Sequence, residues 1–540
     1  MKINRLLPLW GLLGAAWLLP ACHQQYSTEK LERIEVAALE PAPDEASAPA
    51  DPKSSDSLSS TRENYAVIHE NPFLAAERNP LSTFAIDVDR ASYTNVRRFL
   101  TQDRQLPPPD AVRLEELVNY FPYRYPQPQS GPASLNAEVA ACPWNPAHQL
   151  VLVGVQGKQV AVENLPPANL VFLIDVSGSM SDPQKLPLLQ ESLRLLVRES
   201  LRPQDYVSIV VYAGAAGVVL PPTSGAEPAT ILRALDALEA GGSTAGGEGL
   251  RLAYQLARQH QRPGGNNRII LATDGDFNVG EQSDADMERL ITRERESGVF
   301  LSVLGFGAGN LQDSKMELLA DKGNGNYAYI DQLSEARRVL VQQFGGTLFT
   351  LAKDVKIQVE FNPALVREYR LLGYENRLLA AEDFNDDRKD AGELGAGQQV
   401  TALYEVVPVA APATGSTTID PLKYQTNSPH PAATSSTELL TVKLRYQEPA
   451  GSASKLLTLP VRNVRLDESI VQASDNLRWA AAVAQFGLLL RRSRYVGTAT
   501  WASTAALART SESSDTDGSR TEFRELVQEA TALSRATSAR

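Results

Sequence analysis

Several kinds of chemistry are excluded by what this chain has too little of. It holds two cysteines, Cys22 and Cys142, in 540 residues, too few for a disulfide framework, so stability has to come from packed cores. Five histidines, His23, His69, His148, His260 and His430, are scattered with no His-x-x-x-His pair, and a zinc hydrolase centre therefore lacks ligands. There is no P-loop lysine motif and no nucleophile elbow. Positive charge is in deficit, 52 Lys and Arg against 64 Asp and Glu for a formal net charge of -12. That balance argues against nucleic acid or an anionic membrane face as partner. The apolar run Leu6 to Leu19 is short of the roughly 20 residues that a membrane span requires.

That run has a different use. Lys2 and Arg5 precede it and Leu19-Pro20-Ala21-Cys22 closes it, the pattern of a secretion leader. The Leu-Pro-Ala-Cys box resembles bacterial lipoprotein signals, in which the cysteine becomes the lipidated first residue. The resemblance implies a signal peptide over 1–21, acyl chains such as palmitate on Cys22, and a membrane hold through fatty chains. His23 in place of an aspartate favours, by the same resemblance, the outer membrane. No acidic cluster of the kind used for export to the surface follows, so the expected orientation faces the periplasm, with the cell surface as the alternative. In that oxidising compartment Cys142 has no partner for an internal disulfide. Residues 22–71 include PAPDEASAPADPKSSDSLSS, a composition that cannot bury enough apolar surface to offset chain entropy, and read as a flexible tether.

Residues 72–132 form an N-terminal α/β flanking region. STFAID reads as a strand, and the helix after it places Val96, Phe99 and Leu100 at helical spacing. Pro107 to Pro109 stop that helix, and Asp110 is expected to cap another through Tyr120. Asp87-Val88-Asp89 looks like the nucleophile loop of haloacid dehalogenase-type phosphatases, but Arg90 and Ala91 stand where threonine or valine belongs, so a structural role in a turn or cap is expected. Residues 133–168 alternate apolar and polar around a Pro-Trp-Asn-Pro turn, predicting two or three antiparallel strands. The same texture returns over 349–470 in VKIQVEFNP, YRLLGYENR, QQVTALYEVVPV, LLTVKLRYQ and LLTLPVRNV. The two sets are best joined as one β-sandwich into which the central domain is inserted, since domain termini tend to lie close together. Residues 471–540 read as helical. Ser474 or Asp475 caps a helix with Leu477, Ala481, Ala484 and Leu488 near one face; a polar stretch follows, then a last helix over FRELVQEATAL.

Two further segments carry weaker signals. Asp383 to Asp390 has the acidic density of a calcium loop but lacks the glycine at its sixth position and has its terminal glutamate misplaced, so a solvated acidic loop is expected. Gly305-Phe306-Gly307-Ala308-Gly309 follows a strand without Gly-x-Gly-x-x-Gly spacing and predicts a tight turn.

The central region, 169–348, alternates strand and helix. Strands such as LVFLID and RIILAT show no polar alternation, as in a mostly parallel sheet covered on both faces. Ligands in such sheets bind at the carboxyl ends of strands, where Asp175 and Asp274 fall. In the loop leaving the first strand, Asp175, Ser177 and Ser179 alternate, so their oxygens can point inward together, and Gly178 permits close backbone approach. With Thr244 in GGSTAGG they offer only oxygen, which suits Mg2+, with Mn2+ or Ca2+ as alternatives, over zinc. Two formal negative charges leave the ion electrophilic enough to attract a carboxylate from outside.

These residues resemble the metal-ion-dependent adhesion site of a von Willebrand factor type A domain, with Asp-x-Ser-x-Ser, a distant threonine and a distant aspartate. The resemblance assigns hydroxyl ligation to Ser177, Ser179 and Thr244 and the rest of the shell to Asp175 and Asp274, directly or through water. STFAIDVDRASY, LPPPDAVRLEELVNYFPY, GYENR and DFNDDRKDAGELGAGQQVTALYE extend it to bacterial multidomain proteins that surround such a domain with modules of unknown function. The expected fold is thus α/β, a Rossmann-like type A domain inserted in a β-sandwich with a helical C-terminal region. The expected function is metal-dependent binding of a protein ligand that presents a carboxylate, with no catalytic residues. The alternative is an assembly factor of an envelope complex whose metal mainly stiffens loops.

Overall fold

The computed structural model describes residues 63–242, 246–275, 284–343, 349–389, 391–411, 436–449, 451, 453–463, 469–511 and 515–538. The leader, Cys22 and the tether as far as residue 62 lie outside them. Glu63 to Asn71, at the end of the stretch read as tether, runs over the folded body. Glu63 pairs with Arg98 at 2.8 Å, and the Asn71 amide donates to the carbonyls of Leu371 and Gly373. Among the described residues no helix is long and apolar enough to cross a membrane.

The N-terminal part contributes β1 (Leu74–Ala75), β2 (Leu81–Ala85), α1 (Ala91–Thr101), α2 (Leu114–Asn119), β3 (Ala133–Cys142) and β4 (Asn145–Gly157). The central domain follows with β5 (Ala168–Asp175), α3 (Leu186–Glu199), β6 (Tyr206–Tyr212), β7 (Ala216–Ser224), α4 (Pro228–Asp236) and α5 (Gly246–Gln259). It continues through β8 (Asn266–Thr273), α6 (Asp284–Glu296), β9 (Val299–Phe306), α7 (Asp313–Lys322), β10 (Tyr327–Ile330) and α8 (Leu333–Arg337). Then come β11 (Thr350–Phe361), β12 (Val366–Leu372), β13 (Leu378–Leu379), β14 (Gly392–Gly395), β15 (Gln399–Pro408), β16 (Glu438–Gln447) and β17 (Ser454–Arg462). Three helices follow: α9 (Asp475–Arg491), α10 (Trp501–Arg509) and α11 (Ser519–Ser538).

The central sheet runs β10-β9-β8-β5-β6-β7, parallel except for β7, which pairs antiparallel with β6. Its two faces are covered by separate cores. Leu170, Phe172 and Ile174 pack toward α3 and α4, while Val171 and Leu173 pack toward α5 and α7. Burial on both sides accounts for unbroken apolar strands. The edge strand β7 was not apparent in the sequence because AGVVLPPTS carries two prolines and leaves Val218 and Val219 exposed.

Strands from before and after this domain share the other two sheets. One runs β1-β12-β15-β4-β3; the second runs β13-β2-β11-β16-β17, with β14 paired to β11. Val151, Val153 and Tyr404 of the first meet Ile357, Val359 and Val442 of the second in one core, so the sheets form a sandwich with the central domain inserted between β4 and β11. The outer face of the first sheet, through Leu150, Leu152 and Leu403, carries α2 and the C-terminal helices. Here α9 is enclosed on all sides, every residue from Trp479 to Leu488 being buried, which goes beyond the single face that its spacing suggested. Ser474 caps it by accepting from the Leu477 N–H, and at Gly487 a Cβ would stand 2.3 Å from a Leu114 methyl, so α2 crosses there in direct contact. The helix α10 lies in what read as a polar stretch.

Asp110 does not cap α2. It sits in a short turn, Pro109–Ala111, and its carboxylate accepts from the Ile68 N–H at 3.0 Å. The helix begins three residues after the turn without a side-chain cap.

Buried arginines join the N-terminal region to the central domain. Arg97 of α1 reaches Asp331, Glu335 and Glu522, and Arg113 reaches Glu116, Asp313 and Glu317. Arg377 joins Asp87 to Asp321.

Candidate metal centre

The chain passes from β5 to β6 on one side and later crosses to β8 on the other, so the crevice beyond the carboxyl ends of β5 and β8 is the switch point where this class of sheet binds ligands. Asp175 is the last residue of β5 and Asp274 follows β8; both are buried. Asp175 Oδ1 accepts from the Ser177 N–H at 2.9 Å, closing the loop that leaves the strand. Its Oδ2 accepts from Tyr212 Oη at 3.1 Å and from Thr273 Oγ1 at 3.2 Å. Ser177 opens a short turn, Gly178–Ser181, which sets Ser179 Oγ 3.1 Å from Ser177 Oγ. Ser179 in turn hydrogen-bonds the Asp274 carboxylate. Four of the residues read as ligands are thereby brought together.

The fifth, Thr244, lies outside the described residues. Gly242, two positions before it, docks on the serine loop: its carbonyl accepts from the Gly178 N–H at 3.1 Å, and the Gly241 N–H donates to the Val176 carbonyl at 2.7 Å.

A buried lysine completes the group. Lys185, just ahead of α3, places Nζ 2.8 Å from Asp274 Oδ2 and 3.1 Å from Asn310 Oδ1. Burial pushes the Asp274 carboxyl up, but hydrogen bonds from Lys185, Asn310 and Ser179 outweigh it and hold the group below the usual carboxylate range. Burial pushes the Asp175 carboxyl up, the charge of Asp274 adds to this, and the hydrogen bonds from Ser177 and Tyr212 oppose it. Lys185, Asn310, Tyr212 and Thr273 were not read from the sequence. The only local signal was that Lys185 follows closely on the serine loop; the others meet the site through tertiary folding.

Among the described residues no three His, Cys, Asp or Glu side chains gather to hold an ion, so hydroxyls would have to supply part of any shell here. Two adjacent serine hydroxyls beside two buried carboxylates form an all-oxygen set, which suits a hard divalent cation.

The other motifs resolve into structural contacts. Asp87 accepts from the Asp89 N–H and from Arg377, while Asp89 accepts from the Tyr327 N–H at 2.8 Å. Both thus fasten the seam to the central domain. In the acidic loop the carbonyls of Asp383 and Asp386 accept from Lys356, and Asp387 pairs with Arg445; Asp390 lies outside the described residues. Gly307 and Gly309, with φ of +72° and +89°, make the turn after β9. Of the histidines, His148 binds Glu405, which also accepts from Trp144 and Arg370; His23 and His430 lie outside the described residues.

Comparison with known proteins places these parts. The von Willebrand factor type A domain model matches residues 169–343, a further von Willebrand factor model matches 59–152, and the model for the C-terminal part of uncharacterized protein YfbK matches 346–533. Uncharacterized protein YfbK of Escherichia coli (strain K12) is 46% identical over 472 residues, covering 86% of this chain and 80% of that protein. Inter-alpha-trypsin inhibitor heavy chain H3 of Pongo abelii is 28% identical over 46% of this chain and 30% of its own length. A solved von Willebrand factor type A structure from Catenulispora acidiphila shares 18% identity at a TM-score of 0.40, covering 76% of this chain and 98% of its own. A domain of this type points to protein interaction or adhesion. With its type A domain framed by matching flanks on both sides, the chain belongs to the bacterial family of uncharacterized protein YfbK.

Proposed function

We propose that this chain is a lipid-anchored envelope protein that captures a protein partner through a divalent cation held by Asp175, Ser177, Ser179, Thr244 and Asp274. The observation that carries the reading is the continuous run of contacts from Asp175 through Ser177 and Ser179 to Asp274 at the sheet's switch point. Mg2+, or Mn2+ or Ca2+ in its place, would present an electrophilic position to an aspartate or glutamate of the partner. Asp175, tied to Tyr212 and Thr273, would hold the serine loop in shape; Ser177 and Ser179 would offer their hydroxyls. Cys22 would attach the chain to the outer membrane by acyl chains, with the folded part on the periplasmic side.

A crosslinking pull-down from envelope membranes, with and without chelator, tests this. Capture should be lost with chelator and with Asp175→Ala or Ser179→Ala in folded protein. Capture that survives chelator and both substitutions contradicts the metal bridge and favours an assembly scaffold, a role to which the arginine-linked seam is also suited. Cys22→Ser should move the chain from the membrane fraction to the soluble one; unchanged membrane association contradicts the lipid anchor.

A further inference from the structure

We propose that Lys185 is a resident cation of this site, which a divalent ion must displace from Asp274 in order to bind. This rests on the reading of the site as a metal centre and adds a control on its occupancy.

Lys185 is built into its place. Its side chain is buried, 10% exposed, and its Nζ is fixed between Asp274 Oδ2 and Asn310 Oδ1. The stem lies flat on Gly307, where a Cβ would stand 2.4 Å from Cε and 2.5 Å from Cγ, and the backbone at that glycine has φ of +72°. The loop that carries Asn310 is itself held. The Gly309 N–H donates to Glu63 Oε1 at 2.8 Å, and the Asn64 N–H donates to the Leu311 carbonyl at 2.9 Å.

The carboxylate that Lys185 grips is also the one that Ser179 binds, and Ser179 is 3.1 Å from Ser177. The ammonium and any ion on the two serines would therefore share Asp274. Two cations on one carboxylate in a buried site repel each other strongly. An ion that engages Asp274 must push Lys185 toward Asn310 and away from the carboxylate. Lys185 thus keeps Asp274 paired while no ion is bound and lowers the affinity for the ion that replaces it.

The test is titration of the full chain with Mn2+ alone, reading free Mn2+ by electron paramagnetic resonance. Lys185→Met should bind Mn2+ roughly tenfold or more tightly than the unsubstituted chain, as removal of a neighbouring unit charge requires. In chelator it should melt at a lower temperature, and Mn2+ should raise its Tm by more. Asn310→Ala, which loosens the lysine and keeps its charge, should shift affinity the same way by less, and decides the matter if Lys185→Met does not fold. Equal or weaker Mn2+ binding by the folded variants, with the unsubstituted chain still binding, overturns the proposal and leaves the metal centre standing. If neither the chain nor its variants bind Mn2+, both readings fall.

Discussion

Arg97 and Asp331 face each other across the seam between the N-terminal region and the type A domain, joined by Nε to Oδ2 at 2.8 Å and Nη2 to Oδ1 at 2.5 Å. Both side chains are buried, and the same guanidinium reaches Glu335 and Glu522. Removing one partner of a buried pair leaves the other charge uncompensated. Arg97→Met should therefore cost about 3–5 kcal/mol in urea unfolding. A loss under about 1 kcal/mol would show that the seam carries little of the stability.

Glu115 in α2 makes stability depend on pH. It is buried, and its Oε2 has no hydrogen-bond partner among the described residues. Burial first, then the charge of Glu375, push its carboxyl up to about 7 from an ordinary 4.5, against the pull of Arg491. Below the ordinary value both folded and unfolded chains hold the proton. Between the two values the unfolded chain ionises while the folded one keeps its proton, so stability falls as pH rises, and the loss is complete above about 7. Glu115→Gln removes this term. Relative to the unsubstituted chain it should gain roughly 1–3 kcal/mol between pH 4 and pH 8; a difference that does not change with pH in urea unfolding would contradict the assignment.

Two glycines with positive φ should differ in cost. At Gly275, beside Asp274, φ is +108° and a Cβ would stand 2.5 Å from the Gln312 nitrogen and 2.9 Å from the Asn310 oxygen. At Gly264 φ is +69° and the space is open. Gly264→Ala should cost roughly 1–2 kcal/mol from backbone conformation alone. Gly275→Ala should cost more, because main chain has to move. Equal shifts in Tm would contradict the close approach of the two loops.

Cys142 is buried and free, and burial pushes its thiol well up. A thiol reagent at neutral pH should label it only after unfolding. Prompt labelling of the folded chain would contradict its place in the core.

How much could be read in advance depended on how local the cause was. Asp175, Ser177 and Ser179 were legible because one loop after one apolar strand sets them out, and Asp274 because it directly follows another such strand. The strands β11, β15 and β16 were legible from alternation or apolar runs. Lys185 was not, since its meaning depends on a loop more than a hundred residues away that brings Asn310 to it. The enclosure of α9 escaped because it depends on the first sheet, α2 and the two later helices together. The helix α10 was hidden by a composition of Ser, Thr and Ala, and its capping box, Thr500 with Ser503, is a weak signal in such a stretch. Asp110 misled because its carboxylate is taken by the Ile68 N–H, a partner 42 residues away in the chain.

The central claim is that the serine loop binds a divalent ion, and Mn2+ titration of the folded chain against the Ser177→Ala/Ser179→Ala double variant tests it most directly. The account predicts saturable binding of a single ion per chain, displaced by excess Mg2+ and lost in the double variant while its unfolding stays cooperative. Absence of binding by the unsubstituted chain, or undiminished binding by the double variant, would contradict it.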